Sequence, residues 1–510
     1  MKINILEYFE ETVQKNRNKT AIIDGERKTT FWELEKQTKK LSQIISENIK
    51  NAIRCPVAVF LPKCTECILA DLAVVYSGNA YMNLDVKTPV ARIESILERI
   101  QPLIIISNHS NAQLLPDSWD LEKVIILDEI DFDSIHFEQQ KIDKTLAKII
   151  DTDPLCIINT SGSTGTPKGV VLNHRSFIDF TEWANNKMNF TEHEIMGCLS
   201  PVVFDIYSYE ICLLMSKSGT MVLLNENYAA FPARLLQTLS AEKVTFIFWV
   251  PTIMVNIANM GLLERIPLPS VRTVWFAGEV FPTKQFNIWR HFLKDARFVN
   301  MYGPIEITLD CTHYVIEREL KDDEPIPIGY AMRNTDILIL NERDERCGPG
   351  EEGEICVRGT SLAMGYYNNP EKTASAFVQN PLNHSYPELI YRTGDIGKMN
   401  QLGEIIFCGR KDTLIKHMGY RIELAEIEHV IINVLKLVSN GCIVYDYKQK
   451  EISFFYESPD DISVEEFRKK IGTVLPKYML PKVFIHMNEL PRNTNGKIDR
   501  LALSQKVKNK

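Results

Sequence analysis

Short, nearly continuous apolar runs alternate with helix-length amphipathic stretches through the first two-thirds of this chain. CPVAVFL precedes a helical pattern through Val75, and AYMNLD, LIIISN, KVIILD and LCIINT follow. Farther on come TMVLLN, VTFIFWV and TVWFAG, spaced by segments such as FPARLLQTLSAE. A strand that is apolar at every position needs cover on both faces, and the intervening helices supply it. The pattern therefore predicts an α/β architecture with mostly parallel sheets. From about Asp336 the runs shorten and turn residues crowd (DILILNERDERCGPGEEGEICVRG), which predicts a β-rich subdomain. A last unit, with two helical patterns among short strands (KDTLIKHMGYRIEL through KVFIHMN), reads as a small α+β domain. The join is short and charged, without a Gly/Ser or Pro run, so it reads as a hinge. The expected division is residues 1–409, a hinge at 410–412, and a domain at 413–510.

At 510 residues the chain is too long for one ordinary core, in keeping with that division. The net charge of −8 disfavours nucleic acid and anionic membrane as partners of the whole surface. MKINILEYFEETVQ has no basic region followed by an apolar core, and no run approaches the ~18 apolar residues of a membrane span. The expectation is a cytoplasmic protein without membrane insertion. The eleven cysteines are scattered, which suits reduced thiols. Cys64 and Cys67 have C-x-x-C spacing, a redox or zinc signal. No second cysteine or histidine pair sits at zinc spacing, and two thiols on one helix is the preferred reading.

The string Asn159-Thr-Ser-Gly-Ser-Thr-Gly-Thr-Pro-Lys-Gly169 follows the apolar run LCIIN. Its glycines permit tight turns, its hydroxyls and amides offer donors to phosphate oxygens, and Lys168 adds positive charge. It is not the G-x-x-x-x-G-K-[ST] loop, and by itself a polar surface turn would read the same way. Further strings accompany it in order. They include Thr30-Phe-Trp-Glu-Leu34, Ser77-Gly-Asn-Ala-Tyr81, Tyr302-Gly-Pro-Ile-Glu306, Tyr391-Arg-Thr-Gly-Asp395, Gly409-Arg-Lys-Asp412, Lys416-His-Met-Gly-Tyr-Arg-Ile-Glu423, Leu475-Pro-Lys-Tyr-Met-Leu-Pro481 and Asn495-Gly-Lys497. Together they resemble the adenylate-forming superfamily over essentially the whole chain. That family comprises acyl-CoA synthetases, luciferases and amino-acid adenylation domains.

The resemblance implies a ligase that uses ATP and Mg²⁺. A carboxylate attacks the α-phosphate of ATP and pyrophosphate leaves, so two anions must be brought together and neutralised. By resemblance, Thr160, Ser161, Gly162, Ser163, Thr164, Gly165 and Lys168 hold the phosphates. Tyr302 and Gly303 lie by the adenine, Asp395 and Arg410 bind the ribose, and Glu306 holds the metal. Lys497 bridges carboxylate and phosphate from the small domain, which turns about Asp412. Ile305 stands where the family usually has Thr and cannot donate to the α-phosphate; Thr308 is a neighbouring donor. Leu414 replaces a usual Gln and Asn83 a usual Pro.

The segment Ser200-Pro-Val-Val-Phe-Asp-Ile-Tyr-Ser-Tyr-Glu210 resembles the substrate motif of amino-acid adenylation domains, with Asp205 opposite the substrate's α-ammonium. A helix cap is the other reading of Asp205. The implied pocket comprises Phe204, Asp205, Ile206, Tyr209, Phe248, Trp275, Ala277, Met301, Leu309 and Asp310. Its bulky members argue for a small side chain, while Asp310 could receive a basic one. WFAGEVFP also resembles, in part, the D-alanine–carrier protein ligases. With no carrier domain in view, the expected enzyme is free-standing. It activates an amino acid and passes it to the phosphopantetheine thiol of a separate carrier protein, after rotation brings the Lys416–Arg421 segment into the site. The alternatives are an acyl- or aryl-CoA synthetase and a non-catalytic nucleotide-binding relative.

Overall fold

The computed structural model describes residues 2–161, 167–411, 414–458, 462–492 and 498–508. Among them the larger sheet has nine strands, with Thr273–Phe276, Phe246–Trp249, Ile195–Cys198, Thr220–Leu223 and Thr20–Asp24 running parallel at its centre. Arg297–Tyr302 joins this group in parallel and then pairs antiparallel with Thr312–Val315. A second, seven-stranded sheet has Pro154–Thr160, Ala80–Asn83, Pro56–Phe60, Ile105–Ser107 and Val124–Ile126 in parallel order. These central strands are buried at nearly every position, as their unbroken apolar sequences require.

The helices Thr65–Tyr76 and Asp205–Lys217 explain how the two sheets share one core. Both are apolar around most of their circumference, and nearly every residue of each is buried. They belong to one apolar cluster that contains residues of both sheets, such as Val57 and Ile158 on one side and Phe246 and Phe248 on the other. The outer faces are covered separately. Leu235, Met254 and Phe286 pack on the larger sheet, and Ile93, Ile96 and Ile100 on the smaller. The described part is thus layered helix–sheet–helix–sheet–helix, an α/β architecture with mostly parallel sheets as the alternating pattern predicted.

The β-rich subdomain is antiparallel and built on the strands Thr335–Leu340, Gly353–Gly359, Leu389–Met399, Phe377–Gln379 and Ile405–Arg410. The C-terminal unit has a hairpin, Leu414–His417 with Tyr420–Glu423, and a sheet of Asn440–Asp446, Glu451–Glu457 and Val483–Met487. Helices Leu424–His429, Val464–Ile471 and Arg500–Lys508 accompany them. Its own apolar cluster runs from Ile415 to Met479. Asp412, the expected hinge, lies outside the described residues. Among the described residues no helix is long and apolar enough to cross a membrane. Cys64 precedes the helix Thr65–Tyr76 and Cys67 lies within it. Both are free thiols, and no cluster of potential metal ligands occurs among the described residues.

Candidate active site

A cavity of about 130 Å³ opens where the carboxyl ends of the parallel strands meet. Ala80–Asn83 and Pro154–Thr160 reach it from the smaller sheet, bringing Asn83, Asn159 and Thr160. Phe246–Trp249, Thr273–Phe276 and Arg297–Tyr302 end at Val250, Ala277 and Gly303 from the larger. Strand ends of open α/β sheets are where ligands bind, because the chain there leaves the regular ladder and presents loops and helix starts.

Asp205 is the first residue of its helix and faces this cavity. Phe204 occupies the capping position and makes no capping bond, so Asp205 is not the N-cap. Its Oδ1 accepts the neighbouring Ile206 N–H at 3.0 Å. Burial raises the carboxyl to about 6, against the Ile206 N–H and the positive charge of Lys416, which act the other way. Asp310 also lines the cavity and is 4% exposed. Burial, and then Asp205, push it well above the usual carboxylate range.

The turn that carries Asp310 is strained. Thr308 and Leu309 both have positive φ, 53° and 64°, which is costly for residues with a Cβ and most costly for a β-branched one. Gly303 makes room for that turn, since a Cβ there would lie 2.3 Å from the Leu309 carbonyl oxygen and 2.5 Å from the Asp310 Cα. Thr308 itself is buried, with its hydroxyl lacking a partner among the described residues, and it is not in the cavity wall. Ile305 is in the wall.

Of the expected pocket residues, Phe204, Asp205, Ile206, Ala277, Leu309 and Asp310 line the cavity. Tyr209, Phe248, Trp275 and Met301 do not; they are buried behind it. Tyr209 and Trp275 stack at 5.6 Å with planes 10° apart, and Phe248 meets Trp275 edge-on at 5.3 Å. These rings pack on one another's faces and edges and do not line the cavity.

The polar groups expected to meet ATP form two clusters next to the cavity. Tyr302 donates its hydroxyl to Asp395 Oδ2 at 2.6 Å, and Arg410 pairs with the other Asp395 oxygen and with the Thr393 carbonyl at 3.2 Å. In the second cluster Glu306 is fully buried. It accepts the Tyr366 hydroxyl at 2.8 Å and pairs with Arg421. Burial alone would raise Glu306, but Arg421 and then Lys168 outweigh it and hold the carboxyl at about 2. Lys168 lies 5.3 Å above the Tyr366 ring.

Lys168 also pairs in register with Thr160 across the hairpin that flanks the glycine loop. Gly162, Ser163, Thr164 and Gly165 of that loop lie outside the described residues, as does Lys497. At the loop's entrance the side-chain polar atoms of Asn159 and Thr160 are buried without a partner among the described residues, and both residues line the cavity. Unpaired buried donors and acceptors at such a place suit a polar ligand such as a polyphosphate. A divalent ion fits Glu306, an ionised hard-oxygen ligand. No group of three or more potential ligands occurs among the described residues, so Mg²⁺ held there would take oxygens from phosphate and water as well.

The C-terminal hairpin occupies the cavity's open side. Lys416, Gly419, Tyr420 and Arg421 all line it. Ser161, expected at the phosphates, instead donates to the Arg421 carbonyl at 2.7 Å and accepts the Glu423 N–H at 3.1 Å. The Lys416 ammonium lies 6.0 Å from the Tyr302 ring and faces Asp395 and Asp310. Glu279 is a contact that motif reading missed. Its Oε1 accepts the Gly419 N–H at 2.9 Å, and its Oε2 accepts the Thr252 N–H at 3.0 Å. It sits inside WFAGEVFP, but its partner is 140 positions away and no local signal links them.

The model for the AMP-binding enzyme family matches residues 9–367, well over half of the chain. The chain belongs to the AMP-binding enzyme family. Tyrocidine synthase 1 of Brevibacillus parabrevis is 31% identical over 508 residues, 98% of this chain and 45% of that protein. Zwittermicin A synthase ZmaJ of Bacillus cereus is 28% identical over 98% of this chain and 94% of its own length. The chain thus spans less than half of the first relative and nearly all of the second. The Vibrio cholerae adenylation domain AlmE, solved with glycyl-adenosine-5′-phosphate, shares the fold with TM-score 0.85 and 22% identity, over 100% of this chain and 98% of that one. An artificially fused adenylation–PCP di-domain from Klebsiella oxytoca gives 0.80 and 21%, over 95% and 94%. A variant of o-succinylbenzoate CoA synthetase from Bacillus subtilis gives 0.81 and 20%, over 99% and 98%. As a member of the AMP-binding enzyme family, the chain is an adenylate-forming ligase.

Proposed function

We propose that the chain activates an amino acid as its aminoacyl-AMP and passes the acyl group to the phosphopantetheine thiol of a separate carrier protein. The observation that carries this is Asp205, a carboxylate held at the cavity by its helix and by the Ile206 N–H, with a face open to a ligand. A half-buried carboxylate closed over by a plain acyl chain would cost free energy, whereas an α-ammonium there offsets it.

In the first step the substrate carboxylate attacks the α-phosphorus of ATP, and the bond to the pyrophosphate oxygen breaks. Asp205 orients the amino acid, Lys168 meets phosphate charge, and Asp395 with Arg410 holds the ribose. Lys497 is the charge we assign between the two reacting anions. Mg²⁺, when bound at Glu306, offsets negative charge on the phosphate oxygens. In the second step the thiol sulfur attacks the acyl carbon, AMP leaves, and the thiol proton goes to solvent. The hairpin with Lys416 and Gly419 at the cavity mouth supports this assignment. So does the carrier fusion among proteins of this fold.

Amino-acid-dependent pyrophosphate exchange tests the reading. Exchange with one or a few amino acids, D- and L-alanine included in the panel, is the expected result. Exchange with fatty or aryl acids alone would replace it with the acyl- or aryl-CoA synthetase reading. The o-succinylbenzoate CoA synthetase structure keeps that second reading in view.

A further inference from the structure

Asp310 is a buried carboxylate with no partner of its own. It faces the cavity at 4% exposure. No group among the described residues donates a hydrogen bond to it or lies within ion-pair distance. The charges it feels are those of Asp205 and Lys416. Lys416 does not account for it, because that one ammonium also faces Asp395 and Asp205 and comes from the other unit of the chain. An apolar side chain would fill the same place without the penalty of a buried charge, so a carboxylate here calls for a cation that arrives with a ligand.

The geometry limits that cation. Leu309 immediately precedes Asp310, and Asp205, Leu309 and Asp310 all line the cavity, so both carboxylates lie in one wall. Space is limited to the cavity's about 130 Å³, whose wall includes Ala277 but not the stacked Tyr209 and Trp275.

We propose that the substrate is a diamino acid with a short side chain, its α-ammonium on Asp205 and its side-chain ammonium on Asp310. The proposal rests on the amino-acid reading above and adds the substrate class. A neutral amino acid of the same shape would leave Asp310 buried and unpaired, the situation in which sites discriminate most strongly.

The test is pyrophosphate exchange by the full chain on matched pairs: diaminopropionate with aminobutyrate, diaminobutyrate with norvaline, and ornithine with norleucine. The expected result is a kcat/KM for a short diamino acid about 100-fold or more above its neutral counterpart. In Asp310→Asn that preference should collapse, mainly through the diamino acid's KM, with AMP binding by calorimetry unchanged as a check on folding. Wild-type preference for the neutral member of each pair would overturn the proposal and leave amino-acid activation standing. So would a diamino preference that survives Asp310→Asn while thioester formation alone slows, because Asp310 would then serve Lys416. Exchange with no amino acid at all would remove the underlying reading as well.

Discussion

At the scale of single residues, Asp205 pits function against stability. Its carboxyl titrates at about 6 in the fold because burial disfavours the charge. An unfolded chain would hold it near the usual 3.9. The folded state therefore binds the extra proton between these values. Stability from this group is greatest below about 4 and falls as pH rises through 6. Asp205→Asn should stabilise the fold at pH 8 by on the order of 1–2 kcal/mol after screening by cavity water, read as a higher melting temperature, and should change little at pH 4. It should also abolish amino-acid-dependent exchange. For the wild type, kcat/KM for the amino acid should fall as pH drops below about 6, since a neutral carboxyl no longer attracts an ammonium, while KM for ATP stays flat. Equal melting shifts at both pH values would show that the charge is not the cause.

The hairpin Leu414–His417 with Tyr420–Glu423 is the element to which the proposed second step is assigned. Gly419 adopts φ +83° at its tip, and a Cβ there would come within 2.8 Å of Val250 and 3.3 Å of Phe204. Tyr420 lies 4.9 Å from Phe204 and stacks on Tyr478 at 3.6 Å. Gly419→Ala should therefore unseat the hairpin and lower thioester formation by about 10-fold or more, leaving pyrophosphate exchange within about twofold. Single-turnover assays of the two half-reactions separate these outcomes, and equal loss in both would contradict the division of labour. The hairpin also marks how far sequence could be read. The small α+β unit it belongs to and the helix headed by Asp205 follow from local periodicity and spacing. The Glu279–Gly419 contact does not, because it joins residues far apart in the chain. Nor does the left-handed turn at Thr308 and Leu309, where ordinary side chains sit in a conformation that usually announces itself with glycine. The same limit explains Tyr209, Phe248, Trp275 and Met301. The resemblance implies them as pocket residues, but whether a ring faces a cavity or another ring is settled only by packing.

Across the whole molecule, one ion pair connects the metal question to the arrangement of the two units. Glu306, the residue suited to Mg²⁺, is paired with Arg421 of the C-terminal unit, and a second buried pair, Arg92 with Glu426, joins the same two parts. A guanidinium and a divalent ion cannot both occupy the Glu306 carboxylate at full strength. Arg421 thus stands where the metal's charge would be, and binding of Mg²⁺ with ATP should release it. Removing one partner of such a buried pair typically costs 3–5 kcal/mol, but here the cost can be relieved by undocking the C-terminal unit instead of unfolding it. Arg421→Ala should then leave the melting of the N-terminal part unchanged and slow thioester formation. It should also abolish the difference that Mg²⁺ makes to the distance between the two units. Fluorescence energy transfer between labels on the two units is the measurement. In the wild type, ATP with Mg²⁺ should change the transfer, whereas ATP with excess chelator should not. In Arg421→Ala the undocked value should appear without nucleotide. A wild-type signal that responds equally to ATP with and without Mg²⁺ would mean that the nucleotide, not the metal at Glu306, displaces the hairpin.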